Sequence, residues 1–210
     1  MIDNPLLNAP GGSSSATVHE AAGRTGALPH AIKPVYAGAG VLAPAFPVLC
    51  PSGDNLWLHH AIYAASPGEV LVVAIGNPQD VEYGYWGEVM AVAAQARGLA
   101  GLVIDGGVRD SRELADLGFP VFAGAISIRG TIKDPTAHGT LGKPVVIGDV
   151  PINRGDIVVA DADGVVVIPH EDAQSVAASS AARVEKEHAV MAELRAGKST
   201  VELFGLPDHE

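Results

Sequence analysis

The apolar positions of this chain come in short bursts divided by glycine and proline, and their spacing alternates between helical and strand periods. Ser13 to Gly23 carries helix-start signals, with Thr17 three positions before Glu20 as a capping box. From Gly26 to Pro51, Val35, Tyr36, Val41, Leu42, Val48 and Leu49 sit among Pro34, Pro44 and Pro47, which predicts short strands at a sheet edge. Asp54 is placed to cap a helix over Leu56 to Ala64, and Pro67-Gly68 turns the chain into an apolar strand, Val70 to Ile75. A loop with Asn77-Pro78 leads to a helix from about Gly87 to Arg97, whose Ala-rich face repeats at Val89, Ala93 and Ala96.

A strand over Gly101 to Ile104, a short helix over Ser111 to Leu117 and a strand over Pro120 to Ala123 follow. Such alternation predicts a parallel or mixed sheet covered by helices, an α/β fold. Beyond Lys143-Pro144, Val145 to Ile147, Asp156 to Ala160 and Gly164 to Ile168 read as a second β layer cut by Gly-Asp turns. Glu171 to Lys198 reads as one long helix, with Val176, Val184, Met191 and Leu194 on a broken apolar stripe. It would extend about 40 Å, against a radius of gyration of about 17 Å for a compact unit of this size. The helix is thus expected to overhang its own body and meet another subunit.

Composition narrows the class. At 210 residues and 48% hydrophobic content the chain supports one core, giving an expected single domain over 16–198 between a flexible 1–15 and a tail over 199–210. Its longest apolar stretches fall far short of the roughly 18 to 20 residues that span a bilayer, and the N-terminus lacks the pattern of an export signal. The sole cysteine, Cys50, cannot form an internal disulfide or a cysteine cluster, so a reducing, cytoplasmic setting is expected and Cys50 reads as a small buried hydrophobe. Net charge is −11 and the thirteen Lys and Arg form no run, which argues against a nucleic-acid partner. In so acidic a protein a carboxylate ligand needs a local arginine, a metal or free amides.

Those groups meet in Leu102-Val103-Ile104-Asp105-Gly106-Gly107-Val108-Arg109-Asp110, where a strand ends in an acid, two glycines allow a tight turn, and an Arg-Asp pair follows. Ligands of open α/β sheets bind at that edge. Arg109 offers a planar fork for a carboxylate, and Asp110 offers hard oxygen for Mg²⁺ or Mn²⁺. The structural alternative makes Asp110 the N-cap of the next helix and pairs Arg109 with Asp105. In Tyr85-Trp86-Gly87-Glu88-Val89-Met90 a loop opens a helix whose free amides at Val89 and Met90 can seat an anion, beside Glu88. Glu88 is equally explained as a first-turn acid favoured by the helix dipole.

Competing motifs are weaker. Ala37-Gly38-Ala39-Gly40 resembles a nucleotide loop, but Pro44 and Pro47 stand where the phosphate-binding helix should begin, which argues against S-adenosylmethionine-type methyl transfer. His59-His60 lacks the spacing of a zinc helix, and no lysine is placed for Schiff-base chemistry.

The runs Trp86-Gly87-Glu88 and Gly106-Gly107-Val108-Arg109-Asp110 resemble the family that joins class II 4-hydroxy-4-methyl-2-oxoglutarate and 4-carboxy-4-hydroxy-2-oxoadipate aldolases with the RraA regulators of ribonuclease activity. The likeness continues in Ser127-Ile128-Arg129-Gly130-Thr131 and from Arg154-Gly155-Asp156 through Ala160-Asp161-Ala162-Asp163-Gly164. It implies a swivelling β/β/α fold of phosphohistidine-domain type, in homotrimers or homohexamers with sites between subunits. It also implies a metal ligand at Asp110, a substrate clamp at Arg109, substrate-binding positions at Gly87, Val89 and Met90, and a water-orienting acid at Glu88. A further acid would come from the neighbouring subunit's last long helix, at Glu185 or the nearby Glu187. The implied activity is Mg²⁺- or Mn²⁺-dependent cleavage of small 2-oxo acids to pyruvate, with oxaloacetate decarboxylation beside it. The regulator branch, which binds an RNA-processing nuclease, is the alternative; it lacks the acid at Glu88.

Overall fold

Val70–Ile75 is buried at every position, yet its side chains divide by strict alternation: Leu71, Val73 and Ile75 enter one apolar cluster, Val70, Val72 and Ala74 another. That strand therefore lies between two cores. The computed structural model describes Leu6, residues 14–77 and residues 81–207. In chain order its elements are α1 (Ser15–Ala21), β1 (Lys33–Pro34), β2 (Val41–Cys50), α2 (Leu56–Ala64), β3 (Val70–Ile75), β4 (Gly84–Trp86), α3 (Glu88–Ala96) and β5 (Gly101–Val108). There follow α4 (Ser111–Leu117), β6 (Val121–Ile126), β7 (Thr140–Leu141), β8 (Val145–Ile147), β9 (Val150–Ile152), β10 (Ile157–Ala160), β11 (Val165–Ile168), α5 (Ala173–Arg195) and α6 (Thr200–Phe204).

The main sheet runs β1-β6-β5-β3-β2-β10-β11, with β4 on β5 and β7 on β2, while β8 and β9 form a separate hairpin. Strands β2, β3, β5 and β6 are parallel, and α2, α3 and α4 make the crossovers. The cluster that includes Leu71 lies between this half and those helices. The inner cluster joins Val72 and Val103 to Val158 and Val167, so the sheet curls into a nearly closed barrel. The opposite faces of β10 and β11, with Ile157, Val159, Val166 and Ile168, carry α1 and the start of α5.

Three expectations are corrected. Pro44 and Pro47 lie inside β2, a ten-residue strand in the interior of the sheet. The odd-numbered residues of β2 turn their backbone groups to β10 and β7, as Ala45 N to Asp156 O and Gly142 N to Pro47 O show, while Cys50 O faces the β3 side. Pro44 therefore turns towards β3 ahead of its first paired residue, Ala45, and Pro47 falls between the end of the β10 ladder and the start of β7. Each missing donor sits where the strand changes partners. The residues read as a second β layer are also partly continuous with the sheet, because β10 and β11 join through the first four residues of β2. At α1 the cap is Ser14, whose side chain accepts from Thr17 N, rather than Thr17.

The long helix begins after a 3₁₀ turn at His170–Asp172 and buries only Ala173, Val176, Ala177 and Ser180. Of the residues expected to be flexible, 1–5 and 7–13 lie outside the described residues; Leu6 is buried in the α1–α5 cluster. The tail carries α6, closed by a capping box between Ser199 and Glu202. No described helix is long and apolar enough to cross a membrane.

Candidate active site

At the carboxyl end of the parallel strands three chain segments cross at glycines. Beyond β6, Ser127 N donates to Val108 O at 2.8 Å and Gly84 N donates to Arg129 O at 2.7 Å, so residues 127–129 lie over the end of β5. A Cβ at Gly84 would stand 2.4 Å from Ser127 O, so a side chain there would prise this crossing apart. Arg109 N donates to Trp86 O at 2.9 Å, which brings the Arg-Asp pair beside the start of α3.

Asp110 has left-handed backbone geometry, φ 58°. It occupies the N-cap position of α4 but makes no side-chain cap there. Its carboxylate instead reaches α3: Oδ2 accepts from Glu88 N at 3.0 Å and lies 3.8 Å from Arg109 Nε. No donor among the described residues reaches Oδ1. Gly87 is the floor of this arrangement, since a Cβ there would meet Asp110 Oδ2 at 2.3 Å and Arg109 Cγ at 3.1 Å. Arg109 is half exposed and Asp110 slightly less so.

Asp105 takes no part in that pair. Its Oδ1 accepts from Ile75 N at 2.7 Å, and burial pushes its carboxyl up to about 6. Glu88 is exposed, Val89 is 80% exposed and Met90 is buried. The amide of Glu88 is occupied by Asp110, whereas those of Val89 and Met90 meet no carbonyl among the described residues and keep the positive end of the α3 dipole open. Arg109, Asp110, Gly87, Glu88, Val89 and Met90 thus converge within one chain. Glu185 does not: it is exposed on α5, which packs on α1, and makes no ion pair among the described residues, while Glu187 pairs with Arg183.

Sequence reasoning missed one neighbour. Asn55, buried at the head of α2, donates from Nδ2 to Tyr85 O at 2.9 Å and to Met90 Sδ at 3.5 Å, tying α2 to the first turn of α3. Its Oδ1 meets no hydrogen-bond partner among the described residues. An asparagine before a helix reads as a cap, but Asp54 makes that bond, to Leu56 N, which leaves Asn55 free for this role. Beside the site, Glu82 and Arg129 form an ion pair over the ring of Tyr83. The remaining candidates stay outside the site. Cys50 is buried, donates to Asp54 O and has its thiol pushed up to about 12 by burial; the Ala37–Gly40 run leads into β2, not into a helix.

No group of three or more His, Cys, Asp or Glu converges among the described residues, as a zinc centre would require. Asp110 alone, with one oxygen held by an amide and the other open, is the donor chemistry of a hard, hydrated cation that takes one carboxylate and completes its shell with water and substrate.

The RraA-like description, Aldolase/RraA, matches residues 15–167. A Halalkalibacterium halodurans protein provisionally named 4-hydroxy-4-methyl-2-oxoglutarate aldolase is 39% identical over 149 residues, 71% of this chain and 69% of that one. A Pseudomonas syringae pv. tomato structure superposes with a TM-score of 0.75 at 26% identity, covering 89% of this chain and 90% of the other. Streptomyces coelicolor RraAS2, described as an unusual member of the RNase ES inhibitor RraA protein family, gives a TM-score of 0.70 at 26% identity over 91% and 96% of the two chains. A matched core of this extent, carrying the glycine crossings and the Arg-Asp pair, establishes that the chain belongs to the RraA-like family, Aldolase/RraA.

Proposed function

We propose that this chain is a divalent-metal-dependent carbon–carbon lyase acting on 4-hydroxy-4-methyl-2-oxoglutarate or 4-carboxy-4-hydroxy-2-oxoadipate type acids. The products are pyruvate and a second 2-oxo acid, with oxaloacetate decarboxylation as a side activity. The observation that carries the reading is the meeting of the Asp110 carboxylate, the Arg109 guanidinium and the open start of α3 over Gly87.

Asp110 would hold Mg²⁺ or Mn²⁺ through its open oxygen. Such a cation, when bound, supplies a Lewis acid for the charge that develops on the ketone oxygen. Arg109 and the amides of Val89 and Met90 neutralise and orient the substrate carboxylate, the Arg as a two-pronged donor and the amides as the positive helix end. When the C3–C4 bond breaks, the C4 hydroxyl loses its proton and C4 becomes a carbonyl, while the bonding pair moves to C3, which takes up a proton to become the methyl group of pyruvate. Glu88, exposed beside the site, is the proton carrier from this chain. Glu185 of a neighbouring copy is the second acid. Exposed Val89, Ile126, Ile128 and Ile132 around the site support burial against another subunit in a homotrimer or homohexamer.

The test is pyruvate release from these acids and from oxaloacetate by purified protein with Mg²⁺ or Mn²⁺, followed by a coupled reductase. Turnover abolished by chelator and by Asp110→Ala is the expected result. The likeness to RraAS2 favours a second reading, a non-catalytic regulator of an RNA-processing nuclease. It predicts no chelator-sensitive turnover and a stable complex with the nuclease.

A further inference from the structure

The ion pair between Arg129 and Glu82 serves no evident purpose in the fold. Its two side chains are 57% and 68% exposed, and pairs so exposed contribute little to stability. Arg129 is nevertheless held firmly. Its guanidinium carbon lies 4.6 Å from the centre of the Tyr83 ring, and that ring is itself fixed edge-on against buried Tyr85. The Ser127 hydroxyl donates to Glu82 O, which anchors the backbone of the acid as well. Gly84 separates this platform from the site: it carries the hydrogen bond to Arg129 O on one side, and its Cβ position lies 3.3 Å from Arg109 Cβ on the other.

We propose that Arg129 recognises a second, distal carboxylate of the substrate, and that Glu82 occupies its guanidinium until that carboxylate replaces it. The inference rests on the lyase reading above. A chain of net charge −11 repels a dianion, so each carboxylate of a diacid needs a cation of its own, and Arg109 is committed to the end that carries the ketone. Glu82 engages Nη1 of Arg129. The planar fork has further donors for a carboxylate arriving from solvent. The exchange is like for like, one carboxylate for another, so the stack on Tyr83 need not move. The substrate class follows: 4-hydroxy-2-oxo acids with an acidic group at the far end, in preference to those ending in a methyl group.

Titration calorimetry with Mn²⁺ and two unreactive probes of equal chain length, 2-oxoglutarate with two carboxylates and 2-oxopentanoate with one, tests this. Wild type is expected to bind the diacid at least tenfold more tightly. Arg129→Gln should bring the ratio close to one without changing 2-oxopentanoate affinity, and Arg129→Lys should restore part of it. Glu82→Gln should move the ratio the other way, about threefold upward, because it removes the competitor. A structural ion pair predicts instead that both substitutions weaken binding together; that result, or a wild-type ratio of one, overturns the assignment and leaves the lyase reading intact. Wild type that binds neither probe removes both. Circular dichroism melts of each variant guard against misfolding.

Discussion

The carboxylate of Asp110 caps a helix other than its own: it stands at the head of α4 yet accepts the amide of Glu88 at the head of α3. Two consecutive βα units are thereby locked together at the strand edge where the site lies. The left-handed backbone of Asp110 is the conformational cost, modest for an aspartate.

Asp110→Asn and Asp110→Ala should therefore part company. The amide keeps an acceptor for Glu88 N and tolerates left-handed geometry, so its stability should stay within about 1 kcal/mol of wild type, whereas alanine loses a cap of about 1 kcal/mol and adds backbone strain. Both should abolish pyruvate release. Urea unfolding beside the coupled assay checks this; Asp110→Asn with wild-type turnover would remove the carboxylate from the mechanism.

Gly87→Ala should disable the site while leaving the fold standing. The new methyl carbon would fall 2.3 Å from Asp110 Oδ2 and must push that side chain aside. We expect kcat/KM to fall by at least about 100-fold, the scale expected when a reacting group is misplaced by about 1 Å. Gly130→Ala, where nothing lies within 4 Å, is the matched control and should be near neutral.

Glu88→Gln should lower kcat by about 10²- to 10⁴-fold, the usual worth of a positioned acid or base, with KM changed little. Glu88→Asp should recover part of the loss. A pure rise in KM would instead make Glu88 a binding residue.

Asp105 makes a prediction about pH. Its folded carboxyl titrates at about 6, above its ordinary value near 3.8, so the folded chain holds that proton more tightly than the unfolded one. The resulting stability is present at low pH and is lost as pH rises through 6. Asp105→Asn keeps an acceptor for Ile75 N without the charge, so its stability relative to wild type should rise by about 2 kcal/mol between pH 4.5 and 7.5. Urea midpoints at the two pH values decide it; a constant difference between the proteins counts against the shifted carboxyl.

How much of this was legible depends on whether local signals agreed. Between Leu56 and Leu117 they did for α2, β3 and α4, which fall on the residues expected of them, whereas β4 forms in a run read as a loop and α3 buries Met90, Ala91 and Ala94 instead of the Val89, Ala93 and Ala96 face. The position of Arg109-Asp110 at a strand end was also readable, but β5 runs on through Gly106 and Gly107 to Val108 in place of the expected tight turn after Asp105. Pro44 and Pro47 misled, since proline speaks of a missing donor and not of where a strand changes neighbours. The β10–β11 hairpin misled for a related reason, as its register on β2 depends on residues more than a hundred positions away. Asn55 and Glu82 act through contacts at a distance, with Tyr85 and with Arg129, that no local window contains.

Strand β2 belongs to three ladders, antiparallel to β10 over its first four residues, parallel to β3 over its last six, and antiparallel to β7 at Val48 and Leu49. Neither half of the molecule owns a complete set of neighbours without it. Detaching this segment would open both walls of the barrel together, so the chain should melt in one cooperative step, and fragments divided within Val41–Cys50 should not hold native form on their own.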